Sequence, residues 1–208
     1  MSLAAAVTLA ACSGTTTSSD SQNMPAMTGT QDTASTTTPS GTSSPADAAT
    51  AHNAADVAFA TTMIPHHQQA VTMAAMAGQQ ASNAQVKTLA GVIKAAQDPE
   101  IATMSRWLTT WGQPVPSTSG GHDMSTMGDT PMEGMMTEDE MTQLSAARGA
   151  GFDRMWLQMM IKHHQGAVAM ATTETADGQN AEAKRLAQQI ISAQTQEIAG
   201  MEKLLPTA

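Results

Sequence analysis

Aromatic side chains are almost missing from this sequence. Its 208 residues include Phe59, Phe152, Trp107, Trp111 and Trp156, and no tyrosine. Sheets draw on aromatic and β-branched residues, so an all-β sandwich or barrel is not the expected fold. Basic charge is also scarce. Nine Lys and Arg stand against 18 Asp and Glu, a formal net charge of −9. No basic face for a sequence-independent nucleic-acid partner can be built from that balance. A single cysteine excludes an internal disulfide framework, a Cys-based zinc site and an iron–sulfur cluster. The chain contains no Glu-x-x-His, which bundle di-iron sites require on two helices. It shows no nucleophile motif and no glycine-rich phosphate loop, so catalysis is not the leading reading.

Methionine is in excess, with 18 residues. A core seldom needs so many soft thioethers. The first 12 residues form a short apolar run, too short to span a bilayer, ending in Leu9-Ala10-Ala11-Cys12. That ending resembles a bacterial lipobox, in which the cysteine becomes the lipidated first residue of the mature protein. The expected location is extracytoplasmic, with the chain anchored to the bacterial cell membrane through Cys12. No Lys or Arg precedes the apolar run, which points to a start upstream. Residues 13–48, rich in Ser and Thr, bury too little surface to offset their ordering entropy and read as a disordered tether.

The remainder is one unit written twice. Residue n aligns with n+97 from Asp56 to Leu108 without a gap, and 23 of the 53 positions are identical. Each unit reads as a helical hairpin. In the first, Phe59, Met63, His66, Ala70, Met73 and Ala77 follow the 3–4 spacing of a buried stripe, widened by Ile64, His67, Val71 and Ala74. Gly78 is the expected end, and Ser82-Asn83-Ala84-Gln85 has the form of a capping box. The next helix is expected to bury Val86, Leu89, Ile93, Ala96, Glu100 and Met104 and to end before Pro114. In the second unit Thr137 opens a short helix, Gly149 and Gly151 interrupt, and long helices follow to about Thr175 and from Asn180 to Leu205. The predicted fold is all-α: an antiparallel four-helix bundle over 49–206, made of hairpins 49–112 and 137–206 with a Met-rich linker 113–136. Pairing of the hairpins with a second chain is the alternative, and a homodimer is compatible with Trp107 and Trp111 at a helix end.

Met63, His66 and His67 share one side of a helix turn, as do Met160, His163 and His164. Met73 and Met170 follow two turns on. Glu100 and Glu197 fall on the inward stripe of the partner helices, and Asp56 and Asp153 lie inward before the methionines. Four buried imidazoles need partners, and a metal would supply them. Imidazole with thioether suits copper: Met favours Cu(I), and His tolerates Cu(II) as well. The linker adds His122, Met124, Met127, Met132, Met135 and Met136 in a segment that reads as solvated, a candidate Cu(I)-collecting stretch. Pro65 and Pro99 stand mid-helix where the second unit has Lys162 and Gln196; either a kink or a helix start fits Pro65.

The run Met-Ile-Pro-His-His-Gln-Gln-Ala-Val-Thr-Met-Ala at 63–74, its partner at 160–171, and Gly-Met-Met-Thr-Glu-Asp-Glu-Met at 134–141 before Phe152-Asp153 resemble the signature of the DUF305 family. That resemblance implies a ferritin-like bundle, exported in bacteria, with copper binding proposed for some members and no settled enzymatic activity. The positions carried over are Met63, His66, His67, Met73, Met160, His163, His164 and Met170. The leading reading is a copper-binding lipoprotein that buffers, sequesters or passes copper to or from a partner protein. A metal-dependent redox enzyme with Glu100 or Glu197 as base, or a metal-free interaction module with a His-rich polar core, stands beside it.

Overall fold

The computed structural model describes residues 51–117 and 132–208. Cys12, the expected tether, His122, Met124 and Met127 lie outside the described residues. The described chain is helical: α1 (Ala54–Gln80), α2 (Ala84–Thr110), α3 (Glu138–Ala146), α4 (Gly149–Asp177), α5 (Ala181–Leu204) and a closing 3₁₀ turn, Leu205–Thr207. No strand occurs among the described residues. None of these helices is long and apolar enough to cross a membrane.

Local sequence sets the boundaries. Asn53 caps α1 in a capping box with Asp56, and Thr137 caps α3 in another with Glu140. At α2 the expected box at Ser82 is not formed. Asn83 is the cap, accepting from the Gln85 N–H alone, because the Ser82 hydroxyl is taken by Asp153. Asn180 caps α5 in the matching place. Pro65 lies inside the continuous helix α1, and Pro99 inside α2. Gly151 does not interrupt the second unit; the break falls at residues 147–148, and Gly151 is inside α4.

α1 pairs with α2, α4 pairs with α5, and the hairpins join along α1 and α4; α2 and α5 meet only lightly. The predicted bundle of two repeated hairpins is therefore closed within one chain. Its core is in two parts. One contains Ala70, Met73 and Ile93 with Trp156, Leu157, Met160 and Met201. The other contains Phe59, Met63, Ile64 and Met104 with Ala167, Ala171 and Ile190. The C-terminal half of α1 thus meets the N-terminal half of α4, so the central pair is antiparallel. The two parts are related by the repeat, and the His pairs lie between them.

Most of the expected stripe is buried, including Phe59, Met63, His66, Ala70, Met73 and Ala77. Ala96 is a correction. It is exposed, and Gln97 faces inward instead. A second correction concerns the linker: Met135 and Met136 are buried, and Met136 belongs to the core. A segment too polar to form a core of its own still packs its methionines onto one that the helices supply.

Candidate metal centre

His66, His67, His163 and His164 are all buried, at 0–1% exposure. They stand where α1 and α4 cross. The His66 and His163 rings meet across this seam with centroids 3.7 Å apart. His67 and His164 turn instead toward the outer helices. His67 Nε2–H donates to Glu100 Oε2 at 2.7 Å, and His164 Nε2–H to Glu197 Oε2 at 2.8 Å. His66 Nε2–H donates to the Glu133 carbonyl at 3.2 Å.

Those acceptors fix the tautomers. A neutral imidazole holding its proton on Nε2 leaves a lone pair on Nδ1. The Nδ1 atoms of His66, His67 and His164 and both ring nitrogens of His163 are buried without a hydrogen-bond partner. Buried polar atoms are ordinarily satisfied, so this cluster fits a missing electrophile such as a soft metal ion. Among the described residues no three His, Cys, Asp or Glu groups form a ready cation site. Glu100 and Glu197 are spent on hydrogen bonds to His67 and His164, and further donors would come from thioethers.

Electrostatics keeps the inner pair neutral. Burial, and then the neighbouring His67, lower the pKa of His66 from its ordinary 6.5 to about 3. Burial, followed by His66, His164 and His67, holds His163 well below its ordinary value. Two imidazoles in contact cannot both be charged in such a setting, and the neutral form is the metal-binding form.

The methionines are divided. Met63 and Met160 are fully buried one turn before their His pairs, in opposite halves of the core. Met73 is buried in one half, whereas Met170 is half-buried against the other. The structure thus brings the four histidines together and sets Met73 and Met170 on opposite sides of them. Sequence reasoning missed the buried amides Gln97 and Gln194, which carry unpaired atoms. Their identity across the repeat and their inward register were the available signal. It also missed Gln69, whose side chain binds the backbone of Met136.

Asp56 and Asp153 are buried as expected, but they serve the bundle ends. Asp153 accepts from the backbone N–H groups of Ser82 and Asn83 and from the Ser82 hydroxyl. Asp56 accepts from Gln179 and Asn180 as well as from Asn53. Burial works to raise the pKa of Asp56, and these N–H donors together with Glu174 hold it below the ordinary carboxylate range. Glu174 responds oppositely: burial, and then the Asp56 carboxylate, push it up to about 8.

The profile of the family described as a domain of unknown function, DUF305, matches residues 56–205. The chain belongs to the DUF305 family. Solved structures agree with the assignment. A DUF305 protein of Streptomyces coelicolor, held to be secreted, is 34% identical, with a TM-score of 0.65 over 74% of this chain and 93% of that one. A DUF305 fragment from Deinococcus radiodurans is 33% identical, with a TM-score of 0.64 over 75% and 98%. CopM in its Cu(I)-bound form is 33% identical, with a TM-score of 0.59 over 73% and 96%. No curated protein sequence matches this DUF305 chain.

Proposed function

We propose that this chain is an exported copper-binding lipoprotein that buffers or relays copper. The observation that carries the reading is the set of buried ring nitrogens left without a partner at the helix crossing, Nδ1 of His66, His67 and His164 and both nitrogens of His163, with the inner pair His66 and His163 held neutral. Buried lone pairs of that kind would lose free energy without a Lewis acid. Met63 and Met160, with Met73 and Met170, are the thioether candidates, and their softness favours Cu(I) while imidazole also accepts Cu(II). Glu100 and Glu197 act as outer acceptors that orient His67 and His164. CopM, similar over most of its length, has been solved with Cu(I), Cu(II) and silver. His122, Met124 and Met127 would collect copper, and Cys12 would hold the protein at the membrane surface outside the cytoplasm.

The test is an anaerobic Cu(I) competition titration against a chromophoric chelator, with Zn(II) in parallel. The parent is expected to take up Cu(I) selectively. A His66→Leu/His163→Leu variant, which keeps side-chain volume and removes the nitrogens, is expected to lose the tight phase. Equal uptake by both proteins would place copper elsewhere.

A further inference from the structure

We propose that residues 132–136 are a strap that covers the His66–His163 pair, and that metal reaches the imidazoles by displacing it. The proposal rests on the copper reading above and adds its route of access. All four imidazoles are sealed from solvent, so an ion cannot reach them without movement of some part of the protein. The strap is not helical, and its Glu133 carbonyl holds the Nε2–H of His66.

The two repeats diverge where they meet this strap. Gln68 and Ala70 match Gln165 and Ala167, but between them Gln69 stands opposite Gly166. Both odd residues bind the strap. Gln69 accepts from the Met136 N–H at 2.7 Å and donates to the Met136 carbonyl at 2.8 Å. Gly166 is the seat: a Cβ there would stand 2.1 Å from the Glu133 oxygen and 2.8 Å from the Gly134 Cα. Gly134 needs its own glycine, with φ +82 and a would-be Cβ 2.8 Å from the Lys162 carbonyl. One repeat supplies the latch and the other the seat for a single cover. Met136 packs into the core, so lifting the strap must break both Gln69 hydrogen bonds and draw Met136 out with it. Outside lies a hollow of about 330 Å³, lined by Gln69, Met135, Met136 and Met141 among others, which offers thioethers on the way in. The competing route runs past Glu100 and Glu197, whose side chains keep 20% and 14% exposure.

The experiment uses the full chain as parent, Gly166→Ala, Gln69→Ala and Glu100→Gln. In metal-free protein, diethyl pyrocarbonate labelling of each histidine is read by mass spectrometry; Cu(I) association and dissociation are then followed by stopped flow. Gly166→Ala and Gln69→Ala should each speed labelling of His66 and His163 roughly tenfold or more, with His67 and His164 at parent rates. Cu(I) association and dissociation should rise together and leave affinity near the parent's. Faster labelling of all four histidines would mean general loosening and would overturn the proposal. So would copper rates that follow Glu100→Gln and ignore the strap variants. Selective labelling with no Cu(I) uptake by the parent would sink the copper reading and leave the cover standing.

Discussion

The position of one proton decides what each central histidine offers. In His67 and His164 a carboxylate oxygen takes the Nε2–H, which leaves Nδ1 as the nitrogen available to an ion and keeps the ring from rotating freely. Loss of one such acceptor ordinarily costs 10- to 100-fold in metal affinity. Glu100→Gln/Glu197→Gln should therefore weaken Cu(I) binding by about 10- to 100-fold in the chelator competition while leaving helicity intact; unchanged affinity would show that the carboxylates do not orient the rings. The histidines themselves were legible in the sequence, because a repeated pair on an apolar stripe needs partners. The tautomers were not. They depend on a carbonyl at Glu133, 67 residues from His66, and on whether a glutamate meets a ring or an ion. The Glu174 carboxyl was also hidden, because its counterpart in the repeat is Ala77 and nothing local marks it as buried.

Between helices, the two aspartates do what the hairpin turns cannot do for themselves. The turn joining α1 to α2 donates three hydrogen-bonding groups to Asp153 of α4, and the turn joining α4 to α5 donates to Asp56 of α1. Asp153 itself is buried, and Asp153→Ala would strand those donors at a part-buried junction between the helices. The expected loss is about 2–4 kcal/mol of unfolding free energy in urea; a loss under about 0.5 kcal/mol would mean that water replaces the carboxylate. The inward register of both aspartates followed from helical periodicity. Their targets did not, since the partners lie 70 and more residues away. Ala96 illustrates the converse. Periodicity alone placed a small apolar residue inward, but the light meeting of α2 with α5 leaves that side open to solvent.

The whole molecule carries opposed proton linkages. His66, at about 3 in the folded chain against its ordinary 6.5, and His163, shifted the same way, refuse protons that the unfolded chain accepts. Stability is thus lost as pH falls below about 6.5, and the lowered Asp56 adds to that loss in stronger acid. Glu174 works in reverse. Between its ordinary 4.5 and about 8 the folded chain keeps a proton that the unfolded chain has released, so its contribution declines as pH rises through that window. Urea unfolding of metal-free protein from pH 4 to 9 should show both limbs. Glu174→Gln should flatten the decline toward pH 8 and leave the acid limb in place; a variant curve parallel to the parent's would remove Glu174 from the account. Lys184 and Asp177, the other charges that act on Glu174, belong to the second hairpin, whereas Asp56 comes from the first. This linkage therefore exists only when the halves are joined.

The crossed aspartate caps have a consequence for ancestry. A lone hairpin carries an open turn and an unused carboxylate, and each is what a second copy of itself would need. A chain half this length could have assembled as a self-complementary twofold pair. Duplication and fusion would convert that pair into one sequence and end the requirement that both halves be the same. Only after such a fusion could one position become a glutamine in the first half and a glycine in the second, giving a symmetric scaffold a front and a back.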